Sequence, residues 1–145
     1  MKKNEEKLVF VTGASRGIGK SIADWFKRRG YCVAHGFFSN KEMSSNPLKD
    51  DKNLSVRLNI QKRDSIKVAI KYVEEHFQKK ICILINNAAI SQEKDFLTIS
   101  DEDFNIMLKT NLRGPFIFCQ EVLPHMAASN WGRIVNIASI GGQWG

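Results

Sequence analysis

The chain has 145 residues, of which 43% are hydrophobic and 26% are charged, an ordinary composition for one globular domain over residues 1–145. Its apolar runs are shorter than the roughly 18–20 residues of a membrane-spanning helix. The lysine-rich start lacks the apolar segment of a signal peptide. We therefore expect a cytoplasmic protein with no membrane partner.

The charge is positive, with 22 basic and 15 acidic residues giving a net charge of +7. The basic residues occur in short separate groups without interleaved aromatic residues or a groove-reading motif, so we expect a solvated surface and no nucleic-acid partner. The three cysteines are far apart and lie in apolar stretches. They are expected to be small core residues, and we expect no metal site.

Apolar runs alternate with helical patterns along the chain. The predicted strands cover residues 8–12, 31–37, 54–58, 81–85 and 133–138, and the predicted helices cover residues 18–29, 62–78 and 100–128. Residues 39–53 are polar and predict a loop with at most a short helix. Continuously apolar strands are typical of parallel sheets covered on both faces. With right-handed crossovers, the pattern predicts an α/β fold, a doubly wound parallel sheet of the Rossmann type with strand order 3-2-1-4-5.

A glycine-rich turn, TGASRGIG at residues 12–19, joins the first predicted strand to the first helix. Glycines permit a tight turn and let a pyrophosphate approach the backbone, and the helix N-terminus behind them attracts an anion. On glycine spacing alone, a tight turn that binds no ligand is the alternative.

Four motifs in order resemble those of the short-chain dehydrogenase/reductase family. They are Gly13-x3-Gly17-x-Gly19, Asn86-Asn87-Ala88-Ala89, Asn111 in the long helix, and a strand leading to Ser139. The resemblance covers essentially the whole chain. It implies an NAD(P)-binding domain whose cofactor contacts lie along the carboxyl ends of the strands.

The predicted cofactor-binding residues are Gly13, Ser15, Arg16, Gly17, Ile18, Gly19, Ser39, Asn59, Ile60, Asn87 and Ala88. By the resemblance, Asn59 and Ile60 lie along the adenine, and Asn87 and Ala88 lie beside the nicotinamide-side ribose. Asn86 is expected to brace neighbouring strands. The family usually has glycine where this chain has Ala89, whose methyl group either crowds the cofactor or is tolerated by ordinary backbone angles.

Charge near the second strand favours NADP(H) over NAD(H). An acid at the end of that strand binds the ribose hydroxyls of NAD and repels a 2′-phosphate. No Asp or Glu occurs between Asp24 and Glu42; the chain offers Ser39, Asn40 and Lys41 instead, with Arg16 on the glycine turn. Hydroxyl, amide and cationic groups suit a phosphate.

The resemblance also implies a carbonyl reductase that works with a serine, a tyrosine, a lysine and an asparagine. Ser139 matches the serine and Asn111 the asparagine, so these are the predicted catalytic residues. Without the family context, Ser139 reads as a strand-end hydroxyl and Asn111 as a helix-kink residue. Pro115 cannot donate to the Asn111 carbonyl. That carbonyl either holds a water of a proton relay, or Gly114-Pro115 merely bends the helix.

The family's Tyr-x-x-x-Lys pair would lie beyond Gly145, since neither Tyr31 nor Tyr72 has its setting. We therefore expect an N-terminal portion with little activity alone and an exposed fifth strand. The motifs are similar to those of 3-oxoacyl-carrier-protein reductases. This similarity implies a 3-oxoacyl or similar small carbonyl substrate, either free or linked to acyl carrier protein, and a place in fatty acid biosynthesis. It also implies a homo-oligomer, a dimer or tetramer, for the full-length protein. A noncatalytic dinucleotide-binding or scaffold protein, and a basic nucleic-acid-binding module, are the alternatives.

Overall fold

Five parallel strands form one sheet with the order 3-2-1-4-5, which confirms the predicted topology. The structure is a computed structural model that describes residues 7–142. Its strands are β1 (Leu8–Val11), β2 (Cys32–Phe37), β3 (Asn53–Arg57), β4 (Ile81–Asn86) and β5 (Arg133–Asn136). The last strand ends two residues before its predicted end.

Helices connect the strands and cover the sheet. They are α1 (Gly17–Arg28), α2 (Lys41–Ser45), α3 (Arg63–Phe77), α4 (Asp101–Leu108) and α5 (Gly114–Ala128), with 3-10 turns at Phe96–Thr98 and Ile140–Gly142. The polar stretch at 39–53 contains only the five-residue α2 as a helix, as predicted. The chain runs from β1 outward to β3 and then returns to β4, which places a topological switch point between β1 and β4.

The central strand β1 is buried on both faces, which explains its uninterrupted apolar sequence. On one face Phe10 packs against Phe118 of α5, with ring centroids 4.9 Å apart. On the other face Val9 and Val11 belong to a core that includes Ala23 of α1. Burial of a valine or phenylalanine side chain in these cores contributes about 1.5–3 kcal/mol of stabilisation.

The predicted helix over residues 100–128 begins where expected but is interrupted. The Ser100 hydroxyl accepts a hydrogen bond from the Asp103 backbone N–H at 3.1 Å, and the Asp103 carboxylate accepts one from the Ser100 N–H at 3.1 Å. Hydrogen bonds from Lys94 and Ser100 lower the pKa of Asp103 to about 2. This capping box fixes the start of α4.

A π-helical turn at Lys109–Arg113 separates α4 from α5, which the sequence did not predict. The Gly114 N–H bonds the Lys109 carbonyl, five residues back. Pro115 has no N–H for the Asn111 carbonyl, so the widened turn falls where an α-helical ladder would be broken. The helix continues through this turn and brings Gly114 onto Ile60.

The strand β5 is an edge of the sheet, pairs with β4, and leaves Val135 exposed. Within residues 7–142, no helix is both long and apolar enough to cross a membrane. The same residues contain no cluster of three His, Cys, Asp or Glu side chains suited to a metal ion. Cys32 is buried, whereas Cys82 and Cys119 are half-buried.

Candidate cofactor-binding and active site

A cleft of about 870 Å³ opens at the carboxyl ends of the strands, across the switch point between β1 and β4. In open α/β sheets this is the position where ligands bind. The fold brings every predicted cofactor-binding residue to the cleft wall: Gly13, Ser15, Arg16, Gly17, Ile18, Gly19, Ser39, Asn59, Ile60, Asn87 and Ala88.

The glycine turn packs directly on the segment that follows β4. Gly13 has φ +67°, and a Cβ there would lie 2.9 Å from the Ala88 Cα. A Cβ on Gly19 would overlap the Gly13 carbonyl oxygen and the Asn87 side-chain amide. Because neither position has room for a side chain, bare backbone forms this wall of the cleft.

The N-terminus of α1 faces the cleft without a side-chain cap. The side chain of its N-cap residue, Arg16, makes no capping hydrogen bond, and the first turn contains no acidic residue. The first N–H groups of an α-helix have no intrahelical partner, and the helix dipole is positive there. Gly17, Ile18 and Gly19 line the cleft at this point. These donors fit the pyrophosphate of a dinucleotide.

Thr12 joins the glycine turn to β4, a role that the sequence did not reveal. Its buried hydroxyl accepts hydrogen bonds from the N–H groups of Asn87 at 3.0 Å and Ala88 at 2.9 Å, and donates to the Ile85 carbonyl at 3.3 Å. The Asn87 amide in turn donates to the carbonyls of Thr12 at 3.0 Å and Gly13 at 3.2 Å. In the sequence, the one indication of this role is the position of Thr12 at the start of the glycine motif.

The cleft wall at the end of β3 is held by local hydrogen bonds. Asn59 Oδ1 accepts from the Gln61 N–H at 2.9 Å, and the Asn59 N–H donates to Ser65 Oγ at 2.9 Å. Ile60 is only 9% exposed and packs against Gly114, so a small part of its side chain faces the cleft. Hydrogen bonds and packing therefore hold this segment in place as a floor of the cleft.

The charge of the cleft is positive. Among its described lining residues, Arg16 carries the one formal charge, and Asp and Glu are absent. Ser39 is exposed on the wall, whereas the Asn40 carboxamide oxygen caps α2 by accepting from the Met43 N–H at 2.8 Å. Lys41 is the first residue of α2 and is not among the residues that line the cleft. The arrangement suits an anion.

Asn111 binds the segment after β4 through its side chain. Asn111 Nδ2 donates to the Ile90 carbonyl at 2.8 Å, and the Ile90 N–H donates to Asn111 Oδ1 at 2.9 Å. Ile90 lines the cleft and Asn111 does not. The structure therefore gives Asn111 a bracing contact at the cleft.

Ser139 lies three residues after β5 and is exposed. Its Oγ accepts a hydrogen bond from the Gly141 N–H at 3.1 Å, and it lies outside the cleft lining. The preceding strands are braced as predicted, because Asn86 Nδ2 donates to Asn136 Oδ1 at 2.9 Å across β4 and β5. Asn86 Oδ1 is buried without a partner in the described part of the chain.

Ala89 is exposed on the cleft wall. Within residues 7–142, the non-glycine residues with positive φ are Gln78 and Asn130, so the Ala89 backbone is ordinary and its methyl group causes no backbone strain. The tyrosines lie away from the cleft: Tyr31 is in the core beneath α1, and Tyr72 is half-exposed on α3.

Comparisons with known proteins agree with this architecture. The sequence model described as short chain dehydrogenase matches residues 7–145. A 3-oxoacyl-[acyl-carrier-protein] reductase of Staphylococcus epidermidis is 33% identical over 144 residues, which cover 96% of this chain and 59% of the relative. An acetoacetyl-CoA reductase of Paracoccus denitrificans is 34% identical over 137 residues, which cover 94% and 56%.

A solved short-chain dehydrogenase from Streptomyces avermitilis superposes with a TM-score of 0.83 and 26% identity, covering 94% of this chain and 51% of that one. The chain thus spans between half and three-fifths of the length of these three proteins. The match extends from the strand that precedes the glycine turn through the segment that carries Ser139. The chain belongs to the short chain dehydrogenase family.

Proposed function

We propose that the protein is an NADP(H)-dependent carbonyl reductase, with hydride transfer to a 3-oxoacyl thioester or a similar small carbonyl. The observation that supports this most is the cleft itself. It joins an uncapped helix N-terminus to an arginine and lacks a carboxylate among its lining residues. Such a wall favours pyrophosphate and a 2′-phosphate together.

The chain's own residues hold and orient the reactants in this proposal. The N–H groups at the start of α1 bind the pyrophosphate, and Ser39 and Arg16 bind the 2′-phosphate. The bound nicotinamide supplies the hydride. Ser139 Oγ already accepts from the Gly141 N–H, which leaves its hydroxyl hydrogen to donate to the substrate oxygen. Asn111 keeps the segment around Ile90 in place.

The names of two relatives support the substrate class. One is a 3-oxoacyl-[acyl-carrier-protein] reductase and the other an acetoacetyl-CoA reductase. Each is matched over less than two thirds of its length, so the substrate is proposed at the level of a 3-oxoacyl thioester. The net charge of +7 suits an acidic carrier protein as partner.

The test is a pair of binding titrations of the purified chain with NADPH and NADH. The Arg16→Ala/Lys41→Ala double variant is expected to lose about 10–100-fold in NADPH affinity, the value of one or two charge-assisted contacts, and much less in NADH affinity. A Lys67→Ala/Lys71→Ala variant on α3 removes the same charge away from the cleft and should bind as the parent does. Equal losses for the two dinucleotides in the first variant would remove the NADPH assignment.

A second measurement addresses turnover. Oxidation of NADPH in the presence of acetoacetyl-CoA, even if slow, is expected for a reductase, and it should fall further in Ser139→Ala. Tight NADPH binding with no oxidation in either protein would favour the noncatalytic dinucleotide-binding alternative.

An exposed apolar stripe supports self-association. The stripe runs along α4, the π turn and α5 with each member between 41% and 66% exposed, and it comprises Phe104, Leu108, Leu112, Phe116 and Leu123. Contiguous apolar surface of this kind marks an interaction site. We expect a homo-oligomer by analytical ultracentrifugation and a shift to monomer in Leu112→Glu. A parent chain that is monomeric at all concentrations would contradict this.

A further inference from the structure

We propose that Arg57 is a specificity-determining residue that binds the 2′-phosphate of the dinucleotide together with Arg16. The inference rests on the proposed NADP(H)-dependent function and deepens it. The sequence predicts Arg16 and Lys41 as the cations for this phosphate, and the structure places a further cation, Arg57, against the loop after β2.

The sheet register places Arg57 of β3 beside the end of the second strand, β2. Arg57 is the last residue of β3 and pairs with Phe37, the last residue of β2. The residues that follow each strand, Phe38 and Leu58, both line the cleft. In a dinucleotide-binding sheet, the group that distinguishes NAD from NADP lies near the end of the second strand, which is β2 here.

The Arg57 side chain extends across to the loop after β2. Its Nε donates to the Phe38 carbonyl at 3.3 Å, immediately before Ser39. The side chain is exposed, and it takes part in none of the ion pairs between described residues. The two terminal nitrogens of the guanidinium form no hydrogen bond to another described residue, so they can bind an anion near this loop.

Charge and shape favour this arginine over Lys41. A planar guanidinium offers two parallel N–H donors to a phosphate, whereas an ammonium acts as a point charge. Arg57 is anchored through Nε, so less side-chain entropy is lost when its terminal nitrogens bind. Arg57, like Lys41, is not among the residues that line the cleft, but its bond to the Phe38 carbonyl holds it against the loop that carries Ser39. Arg16 lines the cleft from the glycine turn, and the lining contains no Asp or Glu among its described residues.

The experiment compares adenosine 2′,5′-bisphosphate with 5′-AMP by calorimetric titration of the full chain. These probes differ only in the 2′-phosphate. Arg57→Gln is expected to lower affinity for the bisphosphate about tenfold or more and to leave 5′-AMP affinity within about twofold. Arg57→Lys retains the charge without the two parallel N–H donors of a guanidinium. Its affinity for the bisphosphate should lie between those of the parent and Arg57→Gln. Arg133→Gln on β5, also exposed, is the matched control and should bind both probes as the parent does.

Three results would overturn the inference, and they point to different errors. Equal weakening of both probes in Arg57→Gln would show that the arginine only props the Phe38 carbonyl. Unchanged binding of both probes, with the parent still preferring the bisphosphate, would show that Arg57 is ordinary surface while NADP(H) specificity stands. A parent chain without preference for the bisphosphate would remove the NADP(H) proposal and this inference with it. Circular dichroism of each variant establishes that the fold is retained.

Discussion

Asn111 and Ile90 exchange two hydrogen bonds, one from the side-chain amide to the Ile90 carbonyl at 2.8 Å and one from the Ile90 N–H to the amide oxygen at 2.9 Å. The pair connects the π turn before α5 to the cleft wall after β4. A residue that the family resemblance marked as catalytic is therefore also a structural tie between two elements of the site.

Asn111→Ala should lower the free energy of unfolding by about 0.5–2 kcal/mol, because two hydrogen bonds at a partly solvated site are lost. The Ile90 amide should exchange its hydrogen markedly faster. Asn105 is exposed on α4, and its side chain bonds no other described residue. Asn105→Ala therefore controls for the higher helix propensity of alanine and should be neutral or slightly stabilising. Unaltered exchange at Ile90 in Asn111→Ala would contradict the bracing role. Chemical denaturation and hydrogen exchange provide the two measurements.

Thr12→Val should be clearly destabilising, although the valine and threonine side chains are similar in size. The substitution leaves the N–H groups of Asn87 and Ala88 without their acceptor beneath the glycine turn. An unsatisfied buried donor costs about 1–3 kcal/mol, so urea denaturation should show a loss in this range. Thr12→Ser keeps the hydroxyl and should retain most of the stability. Similar losses in the two variants would indicate that the methyl group, rather than the hydroxyl, matters.

His35 should make the fold sensitive to mild acid. His35 is 2% exposed on β2, and burial lowers its pKa. The hydrogen bond to Asn53 Oδ1 on β3 and the charge of Asp24 on α1 oppose this shift, while the nearby cations Lys27 and Lys20 lower the pKa further. The unfolded chain therefore binds a proton more readily than the folded chain. Stability is complete above the ordinary histidine pKa of about 6.5 and is lost as the pH falls through that value.

The measurement is the free energy of unfolding between pH 8 and pH 5 for the parent and His35→Gln. The parent should lose stability over this interval, and the variant should lose less. Asp24 and Asp50 have lowered pKa values and titrate below this window, so they do not mask the effect. An identical pH slope in the two proteins would assign the acid sensitivity elsewhere.

Gly114→Ala tests the contact between α5 and the cleft floor. Alanine is favoured over glycine in a helix by about 1 kcal/mol, but a Cβ here would lie 2.5 Å from Ile60 Cγ1 and 3.0 Å from the Ile60 carbonyl oxygen. Overpacking of this kind costs about 1–3 kcal/mol, so the net change should be destabilising. Thermal unfolding of Gly114→Ala and of Gly114→Ala/Ile60→Ala should show partial rescue in the double variant. If Gly114→Ala were more stable than the parent, the Ile60 segment would have to move aside at little energetic cost.

Much of the fold followed from local patterns. The continuous apolar run before the glycine turn indicated a strand covered on both faces, and β1 is buried in this way. The helix predicted from residue 100 does begin there, where Ser100 and Asp103 form a capping box. These features depend on residues within a few positions of one another, so the linear order of side chains contains the necessary information.

The cofactor cleft was also accessible from the sequence, because its residues lie at strand ends and carboxyl ends of parallel strands meet at one edge. The contacts that hold the cleft together were not. Thr12 meets Asn87 from 75 positions away, Asn111 meets Ile90 from 21, and Arg57 meets Phe38 from 19.

The amino-acid order by itself determined which segments become strands and helices and which glycines form the turn between β1 and α1, since backbone propensity and apolar period act over short range. Tertiary structure alone decided which cation faces the loop after β2, what Thr12 and Asn111 bind, and where the long helix widens before Pro115. Those outcomes depend on the register between strands and on the packing of α5 against the sheet. A shift of one residue in either would pair different groups.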